Sequence, residues 1–158
     1  GKAETLTYGA TMDLMIAHDL FTNCLEALEV LGEDTDPAFA AELRDALERL
    51  APLQVSERTG ALQEWVEDHE EVEPGHRHMS HLFAVHPGRQ ITLRGTPKLA
   101  AAARKSLEYR LSHGGGHTGQ AQAIRLGIAR ALGADLPDPD PDPEPEPDPG
   151  ARGGARSR

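Results

Sequence analysis

Four histidines, His76, His78, His81 and His86, fall within eleven residues of a 158-residue chain that has eight in all. Just upstream, Gln63, Glu64 and Trp65 follow one another, and Trp65 is the only tryptophan. Imidazoles this close could hold a metal, move a proton or grip a polar ligand. Each use demands a different spacing and different company.

A metal demands matched ligands. The helical zinc-protease pattern needs His-Glu-x-x-His, which sets two imidazoles one turn apart on a helix. No pair within this cluster has that spacing, and the lone cysteine, Cys24, lies far upstream. We therefore expect no metal and no other cofactor. A second reading is structural: His78 and His86 solvated or capping a turn, and His69, inside the run Glu67-Asp68-His69-Glu70-Glu71, a charge partner. The third is a sugar site. Neutral His and Gln offer donors and acceptors, carboxylates accept, Arg donates, and an indole covers an apolar ring face. Gln63, Glu64, Trp65, His76, Arg77 and His81 supply that mixture within a short interval, with Glu64, beside Trp65, the best candidate for a buried carboxylate.

These residues need elements to position them. The chain is rich in Ala, Leu, Glu and Arg and has only 4% aromatics, a composition that favours helix. Met12, Ile16, Leu20, Cys24, Leu28 and Leu31 predict a first helix over Thr11–Leu31, capped by Thr11 and stopped by Gly32. Asp36-Pro37 signals the next start. Phe39, Leu43, Leu47 and Leu50 give that helix a stripe ending before Pro52, so the two form a hairpin. Val55 to Gly75 has no period and reads as a long, functional connection. Residues 76–86 read as a short helix or turn stopped by Pro87-Gly88. Thr96-Pro97 opens a further helix with Leu99, Ala103, Leu107 and Leu111 on one face, closed at Gly114. Gly114-Gly115-Gly116 reads as a flexible joint. A last helix, about Gln120 to Leu132, carries Ile124, Ile128, Ala131 and Leu132. No strand signal is present.

From Asp135 onward acid and proline alternate, and the chain closes on Arg and Gly. Nothing there can form a core. The expected organisation is a helical domain over 1–134 and a disordered low-complexity tail over 135–158. The formal charge of −10 gives no basic footprint for nucleic acid or an anionic membrane surface. A single cysteine excludes an intrachain disulfide. No apolar run approaches the roughly 20 residues that span a bilayer. The chain opens GKAETLTYGATMD, without Met, so the start is expected upstream, and localisation stays open between secreted and cytoplasmic.

The order of segments adds a resemblance. TMD at 11–13, DLFTNCLEALEVLG at 19–32, LQEW at 62–65, HRHMSHLFAVHPGRQIT at 76–92 and GGHTG at 115–119 resemble glycoside hydrolase family 95, enzymes of the α-L-fucosidase type. The resemblance implies an all-α fold, helical hairpins forming part of an (α/α)6 barrel. It also implies inverting hydrolysis of terminal α-L-fucosyl residues of oligosaccharides, with α-L-galactosides as a related substrate class. The family's general acid lies in a Ser-Pro-Glu-Asn segment and its base-side aspartate in Asp-Gly-Asn; neither stands here, and Gln120-Ala121 replaces the Trp-Ser that follows GGHTG. The expectation is an internal fragment, inactive by itself, whose partner is the missing remainder of its own catalytic domain. Gln63, Glu64, Trp65, His76, Arg77 and His81 would bind substrate, and no catalytic residue is assigned. The competing class is a small helical protein-interaction module with an acidic, proline-rich arm.

Overall fold

The computed structural model describes residues 8–32, 36–115 and 119–133. The described residues hold four α-helices, α1 (Thr11–Leu31), α2 (Pro37–Arg49), α3 (Pro97–Ser112) and α4 (Gly119–Leu132), with one 3-10 turn at Ser80–Leu82. The described residues contain no strand, only two isolated antiparallel bridges, Ala10 with Trp65 and Val55 with Leu62. The architecture is all-α. The expected tail over 135–158 and Gly116 of the glycine joint lie outside the described residues.

The helix limits follow local chemistry. Asp36 caps α2: its Oδ1 accepts from the Phe39 amide at 3.0 Å, and Pro37 takes the first position. At α3 the expectation is met in position but not in bonding. Thr96 is the N-cap residue, yet its hydroxyl turns back to Thr92, accepting from its amide at 2.9 Å. Thr11 is not the cap of α1. Ala10 holds that place without a side-chain bond, and Thr11 already lies within the helix. The orphan amide of Thr11 instead donates to the Glu64 carbonyl at 3.0 Å, and its hydroxyl to the Gln63 carbonyl at 2.8 Å. A helix start needs acceptors for its free amides, and here a distant loop supplies them.

The core gathers around the loops and α3. Leu82, Ile91, Ala103, Leu107 and Ile128 are fully buried there, together with Met15 from α1. Ala84 N–H even donates to the Met15 sulfur, at 3.4 Å. The predicted faces of α1 and α4 need correction. On α1 it is Thr11 and Met15 that are buried, whereas Ile16, Leu20 and Leu31 stand exposed. On α4, Ile128 and Leu132 are buried as expected, Ala131 is exposed, and Ala129 and Arg125 take its place inside; the Ile124 side chain is outside those described. α1 does pack on α2, as the hairpin requires. The segment 76–86 makes only a 3-10 turn and a run of turns.

Candidate functional site

The strip Leu62–Val66 is held on three sides. Leu62 N–H donates to Ser106 Oγ of α3 at 3.0 Å, Gln63 N–H to the Gln54 carbonyl at 3.0 Å, and Val66 N–H to the Gly9 carbonyl at 2.9 Å. With the two bonds from Thr11, this extended piece is fixed without belonging to a sheet. Its alternating side chains therefore point to set directions.

Glu64 points at His81. The imidazole sits on the 3-10 turn, between buried Met79 and Leu82, and is itself 1% exposed. Its Nδ1 lies 3.9 Å from Glu64 Oε1, too long for a hydrogen bond, and has no other partner. Burial, and then the charge of Arg110, pushes His81 down to about 3. It is neutral at physiological pH and able to act as donor or acceptor.

The second oxygen of Glu64 accepts from Arg110 Nη2 at 2.9 Å. Arg110 lies in the last turn of α3 and is 3% exposed. Its Nη1 reaches Glu71 Oε2 at 3.2 Å and donates to the Glu73 carbonyl at 3.0 Å. Sequence reading missed this residue, because an arginine near a helix C-terminus looks like a solvated partner of the dipole. Only its bond to Glu64, 46 residues earlier, reveals its place. Glu71 is raised above the usual carboxylate range, chiefly by burial, although Arg110 opposes this.

The remaining candidates divide. His76 is half-buried; its Nδ1 accepts from the His78 amide at 3.2 Å, and the two rings lie 5.0 Å apart. Arg77 is exposed, its Nε donating to His78 Nε2 at 3.3 Å. Trp65 is half-buried and bridged to Ala10. With its amide nitrogen facing the backbone, Gln63 donates to the Trp65 and Val66 carbonyls at 3.1 and 3.2 Å. Asp68 turns away from the histidines, accepting from Ser56 Oγ at 2.7 Å and pairing with Arg58. His69 Nε2 lies 3.7 Å from Glu67 Oε2, within the acidic run that carries it. His86 is packed on α4 so closely that a Cβ on Gly127 would stand 2.3 Å from its ring. Gly115 does not act as a free joint: it is buried, and its amide donates to the Arg110 carbonyl at 2.8 Å.

A cavity of about 480 Å³ opens between α3 and the 56–74 loop. Gln63, Asp68, Glu71, Lys105 and Tyr109 help line it, while His76, His81 and Trp65 do not. It meets the Arg110 cluster at Glu71 and Pro74. Among the described residues no group of three His, Cys, Asp or Glu side chains is placed to hold a metal ion, and no helix is long and apolar enough to cross a membrane.

A buried neutral imidazole and an ion-paired carboxylate face each other on loops between helices, with a half-buried indole next to the carboxylate in sequence. The chain belongs to the glycosyl hydrolase family 95 catalytic domain family, whose model matches residues 1–135. It is 37% identical over 116 residues to alpha-L-fucosidase 2 of Arabidopsis thaliana, covering 73% of this chain and 14% of that protein. It is 31% identical over 90 residues to probable alpha-fucosidase A of Aspergillus oryzae, covering 54% of this chain and 12% of that protein. The chain thus spans about one seventh of the length of the first relative and about one eighth of the second. Family membership favours the glycosidase reading over a free-standing interaction module.

Proposed function

We propose that this chain forms one sector of an (α/α)6 barrel and contributes a wall of a fucose subsite. The whole enzyme hydrolyses terminal α-L-fucosyl or α-L-galactosyl residues of oligosaccharides with inversion. The observation that carries this reading is the Glu64–His81 pair, built from the two most family-like segments and held rigid by the backbone. Glu64 accepts from a sugar hydroxyl, His76 donates to a sugar oxygen, Arg77 reaches the rim, Trp65 lies along the deoxy sugar's apolar side, and His81, buried behind Glu64, sets the place of that carboxylate. Gln63 supports the strip and contributes to the wall through it.

Inversion needs two carboxyl groups about 6.5–9.5 Å apart with water between them. Glu64 is committed to Arg110, and its neighbour Glu71 shares that same guanidinium. Neither is placed as a free acid facing a free base. The acid and base come from the remainder of the catalytic domain, which is also the partner of this sector, and the chain alone releases no fucose.

Incubation with a 2′-fucosylated oligosaccharide is expected to yield no free fucose above background. Robust turnover abolished by Glu64→Gln would overturn the division of roles. Within a full-length active enzyme carrying this segment, His76→Ala or His81→Ala is expected to lower kcat/KM by about 10²–10³, the first by removing a donor that tightens in the transition state and the second by displacing the Glu64 carboxylate. His69→Ala serves as control and changes little. Near-normal activity of both cluster variants would remove the wall from the fucose subsite.

A further inference from the structure

We propose that Arg110 is the positioning residue of this site, setting the Glu64 carboxylate against His81 and pinning the backbone from which His76 emerges. The proposal rests on the fucose-subsite reading for its ligand, and on the geometry of α3 for everything else. A buried charge is tolerated only when it is paired and hydrogen-bonded. Arg110 meets that demand at both terminal nitrogens by gathering segments distant in sequence, leaving only its Nε without a partner. Nη2 takes Glu64 at 2.9 Å. Nη1 takes the Glu73 and Pro74 carbonyls at 3.0 and 3.4 Å. The Arg110 carbonyl receives Gly115 N–H at 2.8 Å, where the glycine-rich stretch begins.

Two close approaches confirm that the packing was made for this junction. A Cβ on Gly75 would lie 2.1 Å from the His113 carbonyl oxygen, and one on Gly115 would lie 2.8 Å from the Arg110 carbonyl oxygen. Glycines at both points let the 73–76 backbone and the 115 turn close over the end of α3. His76 follows directly from that closure, its amide donating to the Glu73 carbonyl that Arg110 also holds.

The fork of a guanidinium is what the arrangement needs. A lysine carries the charge but not the planar set of donors that can hold a carboxylate and two carbonyls at once. Charge and geometry can therefore be separated by substitution. The charged and titratable groups facing the cluster are Glu64, Glu71, Arg58, His81 and His113.

The experiment compares the chain with its Arg110→Met and Arg110→Lys variants. Circular dichroism reports the fold, imidazole nitrogen NMR reports His81, and Trp65 emission reports α-L-fucose binding. In the parent chain His81 stays neutral from pH 8 to about 5. In Arg110→Met the repulsive charge is gone and Glu64 is released, so His81 titrates at a higher pH than in the parent, while burial, the larger cause, still holds it below the ordinary imidazole range. In Arg110→Lys it remains neutral. Fucose binding weakens at least about tenfold in both, because the fork is lost in both. Unchanged His81 signals in a folded Arg110→Met chain overturn the proposal, as does full fucose affinity in Arg110→Lys. Should Arg110→Met fail to fold, Glu64→Gln carries the test: it leaves Arg110 to Glu71 and the carbonyls, and His81 signals that do not move overturn the proposal. A parent chain that binds no fucose defeats the fucose-subsite reading alone, and the His81 spectra then decide on Arg110 by themselves.

Discussion

The α1–α2 hairpin is the more apolar part of the sequence, yet most of the sealed core lies in the loop-and-α3 half of the molecule. In the second half Leu82, Leu107 and Ile128 are sealed, and even Ser106, His81 and Arg110 are buried. In the hairpin Ile16, Leu20, Val30 and Phe39 face outward, 40%, 56%, 87% and 42% exposed. Isolated exposed apolar residues are ordinary. Ile16 and Leu20 one turn apart on the same helix, with Val30 and Phe39 near the turn of the hairpin, are what a sector cut from a larger helical assembly would show. From the hairpin, the core of the half that carries the site takes only Met15, and the outer face of the hairpin stays apolar and exposed.

The largest effect separating the two halves is expected from Leu107→Ala. It removes a fully buried side chain and should cost about 2–5 kcal/mol by chemical denaturation. A loss below about 1 kcal/mol would show that this core is as loose as the hairpin. Gly127→Ala sets two effects against each other: alanine gains about 0.5–1 kcal/mol inside a helix, while its methyl must push aside the exposed His86 ring, which would lie 2.3 Å away. The net change is expected to stay within about 1 kcal/mol and to shift toward stabilisation when His86→Ala is present. Equal effects in both backgrounds would mean that the His86 ring does not sit on α4.

The pH response tests the site half alone. His81 is lowered to about 3 in the fold, so the unfolded chain takes up its proton first. Its contribution is complete above about 6.5 and is lost as pH falls toward 3, amounting to about 2 kcal/mol by pH 5. Glu71, raised by burial, acts in the opposite sense and weakens the fold as pH rises past the ordinary carboxylate range. Comparing stability at pH 7 and pH 5 in the parent and in His81→Gln isolates the histidine; equal slopes would contradict it. The smallest effect is expected at Leu20→Gln, within about 0.5 kcal/mol for an exposed site. A loss above 1 kcal/mol would show that Leu20 is covered in solution and the contrast between halves false.

The helix limits were legible because punctuation is local. Asp36-Pro37, Thr96-Pro97, Gly32 and Gly114 mark ends through backbone chemistry that needs no partner. The buried face of α1 was not. A strict four-residue stripe turns by about 400° per step on a helix with 3.6 residues per turn, drifting some 40° each time. Met12, Ile16, Leu20, Cys24 and Leu28 therefore wind around α1, and Met15, off the stripe, faces the core. The site was half legible. Glu64 and His81 belong to recognisable segments, but their juxtaposition depends on a turn and on Arg110, neither of which has a periodic signature. Asp68 looked equally available and was captured by Ser56 and Arg58.

The bonds from Gly9 and Thr11 to the 63–66 strip carry a consequence for how such a protein can be edited. Residues more than 50 apart in sequence are joined there directly. The whole of α2 is then a detour, leaving at the end of α1 and returning beside its beginning. Residues added between α1 and α2 lengthen that detour and are expected to leave Glu64 where it stands. A change of a single residue between Gly9 and Thr11 has no such freedom, for it shifts the register of the carboxylate itself.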